Sequence, residues 1–109
     1  MHYEVNGNPL QADDEGYLLE ADYSDEVCAV IAAAEGLALA PDHWVVINYY
    51  REQYREHGHT PNFRTTLKDL ESRIEACDSK RLYDLFPAGP AKQGVRVAGL
   101  PKPFGKGGY

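Results

Sequence analysis

Cysteine is scarce in this chain: Cys28 and Cys77 are the two in 109 residues. That is too few to staple a small disulfide-held domain, and their spacing is not that of a metal-ligand pair, so both thiols are expected to be reduced and no cofactor or metal is implied. Long apolar runs are also missing. Nothing approaches the roughly 20 residues that cross a bilayer, and the start, Met1, His2, Tyr3, Glu4, lacks the basic flank and apolar stretch of a secretory signal. The expectation is a cytoplasmic protein, monomeric and without a membrane partner. Basic residues are few as well, 11 against 17 acids for a net charge of -6, which disfavours indiscriminate binding to nucleic acid. There is no internal repeat and no linker.

What is present is the composition of one globular domain, with 43% hydrophobic and 26% charged residues. The charge is unevenly spread. From Lys80 onward six basic residues (Lys80, Arg81, Lys92, Arg96, Lys102, Lys106) face Asp84 alone, whereas residues 1–79 hold five bases and sixteen acids. The carboxy-terminal quarter is therefore suited to an acidic partner.

The periodicity predicts a mainly α fold with a small amino-terminal β-hairpin. β-prone stretches from Tyr3 to Leu10 and Gly16 to Glu20 are broken by Asn6, Gly7, Asn8 and Pro9 and then by Asp13, Asp14 and Glu15. After the capping candidates Asp22 and Ser24, Val27, Val30, Ile31 and Ala34 share one helical face, and Gly36 stops the helix. A second helix starts at Pro41, carries Trp44, Ile47, Tyr50 or Arg51, and Tyr54 on its stripe, and ends near Gly58. Thr60 is expected to cap a third, with Pro61 first and Phe63, Leu67, Leu70 and Ile74 inward, leaving Cys77 near its frayed end. A short helix from Ser79 carries Leu82, Leu85 and Phe86, and a fifth runs from Pro90 to Gly99. Residues 1–99 thus form one domain of about five helices, and residues 100–109, rich in Pro, Gly and Lys, read as a flexible carboxy-terminal arm whose ten residues span at most about 33 Å.

The run from Phe86 to Tyr109, FPAGPAKQGVRVAGLPKPFGKGGY, resembles the carboxy-terminal signature of the DsrC/TusE family, in which Pro-Gly-Pro-Ala-Lys-Gln precedes Ala-Gly-Leu-Pro-Lys-Pro. EVNG at 4–7, EGYLL at 15–19, EGLAL at 35–39 and HWVVINYYREQY at 43–54 extend the similarity over nearly the whole chain. The resemblance implies a mostly helical fold and an arm that docks into larger enzymes, either dissimilatory sulfite reductase or the sulfur-transfer complexes that lead to tRNA thiolation. It further implies a next-to-last cysteine in the arm and, in many members, a second in the preceding helix. Matched residue by residue, those positions fall on Lys106 and Val95, neither of which can form a persulfide, because a thiolate is the nucleophile in each step. The implied reading is a non-catalytic binding or regulatory member that docks through Lys92, Arg96, Leu100, Pro101, Lys102, Pro103, Gly105 and Lys106. Pro101 and Pro103 pre-extend the arm, and the bases steer it.

Other chemistry weighs less. Cys77, beside Lys80 and Arg81, is the candidate for a substitute sulfur carrier, with Cys28 read as a core residue. His43, His57 and His59 are expected to be solvated surface side chains, and Trp44, Tyr49, Tyr50 and Tyr54 to pack a core rather than stack on bases. Helices two and three could form a helix-turn-helix that contacts DNA through Arg64 and Lys68, the alternative for a regulator.

Overall fold

The computed structural model describes residues 2–103. Strands β1 (His2–Val5) and β2 (Asn8–Gln11) pair antiparallel, His2 opposite Gln11 and Val5 opposite Asn8. Asn6 and Gly7 take φ of 53° and 81°, the doubly left-handed turn that an Asn-Gly pair favours because its twist matches that of the strands. Tyr3 and Val5 face inward, and the Tyr3 hydroxyl donates to Gly16 O at 2.8 Å. The second β-prone stretch joins the ribbon at the single bridge between Ala12 and Leu18.

Five helices follow. Helix α1 (Asp25–Ala34) is capped by Ser24, whose side chain accepts from Val27 N, with Asp25 and Glu26 in the first turn where a helix favours negative charge. It buries Val27, Cys28, Ile31 and Ala32, a face rotated slightly from the one the pattern suggested. Helix α2 (Pro41–His57) begins at proline and closes before Gly58 as expected, burying His43, Val46, Ile47, Tyr49, Tyr50 and Arg51. Trp44 and Tyr54 are half-buried at the margin of that face.

Helix α3 is shorter than the periodicity implies, Phe63–Leu70, and its cap is Asn62, whose side chain accepts from Thr65 N. Thr60 is buried before the helix, and its Oγ1 has no hydrogen-bond partner among the described residues. The helical bonding lapses after Leu70, yet Ile74 still reaches the core from the turns that follow. An apolar period marks burial, and burial can outlast the helix that began it. Helix α4 (Ser79–Leu85) is capped by Asp78, which accepts from Arg81 N at 2.8 Å.

The last helical region starts at Pro90 as a wide π-helical turn, Pro90–Gly94, and narrows into α5 (Val95–Val97). It is the centre of the molecule. The π turn packs on α2, α3 and α4, while α5 packs on α1 and α2, and Pro90, Ala91, Gln93, Gly94, Val95, Val97, Ala98 and Leu100 are all buried.

His43 is a structural residue rather than a solvated one. Its Nδ1 accepts from Ala40 N at 2.9 Å and its Nε2 lies 2.8 Å from Leu85 O, so the imidazole is the Nε2–H tautomer, capping the start of α2 and tying it to the end of α4. Its ring also meets Phe86 edge-on. His43→Ala should lower stability by about 1–3 kcal/mol, since it removes a helix cap and leaves a buried carbonyl unmatched. Urea denaturation monitored by circular dichroism measures this.

Candidate functional site

Three elements converge where the chain leaves the body. Arg51, near the middle of α2, has a side chain only 7% exposed. Its Nη1 donates to Asp25 Oδ1 at 2.9 Å, Nη2 to Ser24 O at 2.7 Å and to Cys28 Sγ at 2.8 Å, and Nε to Ala98 O at 3.3 Å. One guanidinium therefore joins the start of α1 to the end of α5, using the fixed fork of donors that lysine lacks. The next residue, Gly99, takes φ of +80°, and a Cβ there would lie 2.5 Å from Asp22 O. Asp22 N donates to Gly99 O at 2.9 Å. Only glycine combines that φ with so close an approach.

Beyond Gly99, Leu100 is fully buried and Pro103 is buried beside Tyr54, Gly58, His59 and Thr60. Pro101 and Lys102 are half-exposed, and Lys102 Nζ pairs with Glu15. Of the expected docking residues, Leu100 thus anchors the segment to the body and offers no surface. Arg96 is also engaged internally: its Nε and Nη2 lie 2.5 and 2.7 Å from the Glu35 carboxylate, with 15% of the side chain exposed. The hydrogen bond with Glu35 pushes the Arg96 pKa up, overcoming burial, and Gln93 Nε2 completes the cluster by donating to Glu35 at 2.8 Å. Lys92 is exposed beside a cavity lined in part by Phe63 and Tyr83. Gly105 and Lys106 lie outside the described residues. Arg51, Ser24 and Asp22 carry the exit geometry; the sequence signal for the first was a charged residue inside the apolar stripe of α2.

Val95, at the helix position, is fully buried. Cys28 is fully buried, and burial pushes its thiol up to about 11 despite Arg51. Cys77 is half-buried, and its thiol is also pushed up, first by burial and then by Asp78, Glu71 and Asp42, which outweigh Arg81. The expectation that Lys80 and Arg81 would favour its thiolate is thereby corrected: Arg81 is occupied by Asp42 at 2.7 Å and Lys80 by Asp84 at 3.1 Å. Arg64 and Lys68 are exposed on α3. Tyr49 and Tyr50 are buried, bonded to Asp69 and Thr66, so these rings pack rather than stack on bases.

The chain thus folds as a ribbon and five helices around a buried carboxy-terminal signature, an architecture that known proteins share. The family model described as DsrC like protein matches residues 4–105. The chain is 43% identical over 100 residues to the sulfurtransferase TusE of Escherichia coli O6:H1, covering 89% of this chain and 92% of that one. It is similar to the solution structure of DsrC from Allochromatium vinosum, with a TM-score of 0.85 at 42% identity, and to the crystal structure of the oxidized gamma-subunit of dissimilatory sulfite reductase from Archaeoglobus fulgidus, with a TM-score of 0.88 at 32% identity. Both comparisons cover 96% of this chain and 98% of the other. The chain belongs to the DsrC/TusE family.

Gly99→Ala should cost about 1–3 kcal/mol, read as a lowered urea midpoint, because the added methyl meets Asp22 O in a strained backbone. The buried Cys28 thiol keeps its proton to higher pH than the unfolded thiol, so the unfolded chain ionises first and stability should fall as pH rises from about 9 to about 11. Cys28→Ala should flatten that fall in urea titrations at pH 8 and 10; the tyrosines contribute equally to both proteins.

Proposed function

We propose that this chain is a DsrC/TusE-family protein that docks its carboxy-terminal segment into a sulfite-reductase-like or sulfurtransferase partner without itself carrying sulfur. It acts as a single-domain, monomeric, cytoplasmic binding or regulatory protein rather than an enzyme, and residues 100–109 form its arm, the first four of them anchored on the body. The observation that carries this reading is the contrast between the arm's root and its chemistry. Arg51, Asp22 and Gly99 brace the segment where it leaves the body, while Val95 and Lys106 occupy the positions at which the family resemblance places carrier cysteines. Of the thiols the chain does have, one is buried and the other has no bias toward thiolate. Lys102, Gly105 and Lys106 are the residues we assign to contact with the partner, with Pro101 and Pro103 stiffening the approach, Lys92 at the edge, and Arg96 and Leu100 supporting from within.

The names of the relatives favour such a partner. One is a gamma-subunit of a sulfite reductase and another a sulfurtransferase. The alternative of a DNA-binding regulator draws on the exposure of Arg64 and Lys68 on an eight-residue helix. The acidity of the surrounding chain opposes it, and an electrophoretic shift lacking a specific complex at moderate salt discards it.

Truncation must spare the anchored residues, so the informative variant ends at Pro103. Biolayer interferometry against the purified host sulfite reductase and the purified host sulfur-transfer complex should show binding weakened about tenfold or more by this truncation, equivalent to at least roughly 1.4 kcal/mol. Unchanged affinity sinks the proposal. Incubation with a persulfide donor should leave the intact mass of the folded chain without an added sulfur; a gain at Cys77 would instead support a residual carrier.

A further inference from the structure

The first 26 residues contain eight carboxylates and neither lysine nor arginine. Within this stretch lies an open cleft of about 400 Å3, lined by Pro9, Leu10, Gln11, Leu18, Leu19 and Glu20. Its form is built into the backbone. The bridge between Ala12 and Leu18, and the bond from Leu19 N to Gln11 O at 3.0 Å, hold the strand-like stretch against β2. Leu18 turns inward at 2% exposure and Leu19 outward at 60%, the alternation an extended backbone imposes.

The cleft and the exit of the arm share one short stretch of chain: Leu18, Leu19 and Glu20 line the cleft, and Asp22 bonds to Gly99. Among the described residues the exposed large apolar side chains are Leu19, Tyr23 and Tyr83, and the first two flank Asp22, whose N–H is bonded to Gly99 O. Glu15, a few residues from Leu19, pairs with Lys102 of the arm. Apolar surface beside a rigid exit, set in negative charge, fits a partner that brings an apolar side chain out of basic surroundings.

We propose that this cleft is the docking surface of the body for the same protein that receives the arm, taking up an apolar side chain that projects from a basic patch of that partner. The inference rests on the arm-docking reading above and extends it to a second point of attachment. Two linked contacts bind more tightly than either alone, since the first raises the effective concentration of the second. Charge makes a second copy of this chain the poorer occupant. Three of the bases from Lys80 onward are already paired within the chain, Lys80 with Asp84, Arg81 with Asp42 and Arg96 with Glu35.

The test uses the full chain, Leu19→Ser, Glu20→Lys and the chain ending at Pro103, against the same two purified host complexes. Leu19→Ser should weaken binding of the full chain about fivefold or more, as expected for a leucine that leaves water on binding. Its thermal midpoint should not move, because the side chain is exposed in the folded monomer. Glu20→Lys should slow association and flatten its salt dependence. If Leu19→Ser binds as tightly as the unaltered chain while the truncation weakens binding, the cleft is overturned and arm docking survives. If neither complex binds the unaltered chain, the functional reading fails and this inference with it. Sedimentation velocity showing a dimer that Leu19→Ser dissociates would assign the cleft to a second copy and overturn the proposal.

Discussion

The molecule depends on one buried cation. Arg51 sits where α1, α2 and the end of α5 meet, and its donors satisfy two backbone carbonyls, a carboxylate and a thiol. A buried guanidinium is stable only when its hydrogens find acceptors, and here each acceptor comes from a residue whose place decides the exit of the chain. Ser24 and Asp25 set the start of α1, and Ala98 immediately precedes the left-handed Gly99. Substituting a side chain with fewer donors would release two elements at once. The same site explains the character of Cys28, a neutral neighbour that fills space beside the guanidinium and gains a hydrogen bond from it.

The residues that carry the family resemblance turn out to be mostly structural. Gln93 accepts from Ala88 N at 3.0 Å and donates to Glu35, Arg96 completes that cluster, and Pro90, Ala91, Ala98 and Leu100 fill the space between α1, α2, α3 and α4. A signature so occupied with packing reports on the scaffold. The proposed absence of sulfur carriage rests instead on Val95 and Lys106.

The helical architecture was legible because the strongest cues were local. Ser24, Pro41 and Gly58 delimit α1 and α2 through caps and backbone preferences that need no distant partner. Failures came where distance mattered. His43 became a core residue because Ala40 N and Leu85 O, the second 42 residues away, supply its partners; the cap of α3, Asn62 in place of Thr60, is by contrast a local difference. The site was readable only as a segment: its prolines and lysines are plain in the sequence, whereas the role of Arg51 appears once α1 and α5 are brought to it. Lys80 and Arg81 look like activators of Cys77 along the chain, but in space they are bonded to Asp84 and Asp42.

The π-helical turn sets a phase for everything after it. Five residues from Pro90 to Gly94 are wound more widely than α-helix, so the chain enters α5 with a rotational offset that a regular helix would not produce. Loss of one residue from that turn would rotate the downstream side chains by about 100° about the helix axis, carrying Arg96 off Glu35 and Ala98 O off Arg51. The direction in which the chain leaves the body is thus encoded as a count of residues, and insertions or deletions between Pro90 and Gly94 would re-aim it even with each side chain's chemistry unchanged.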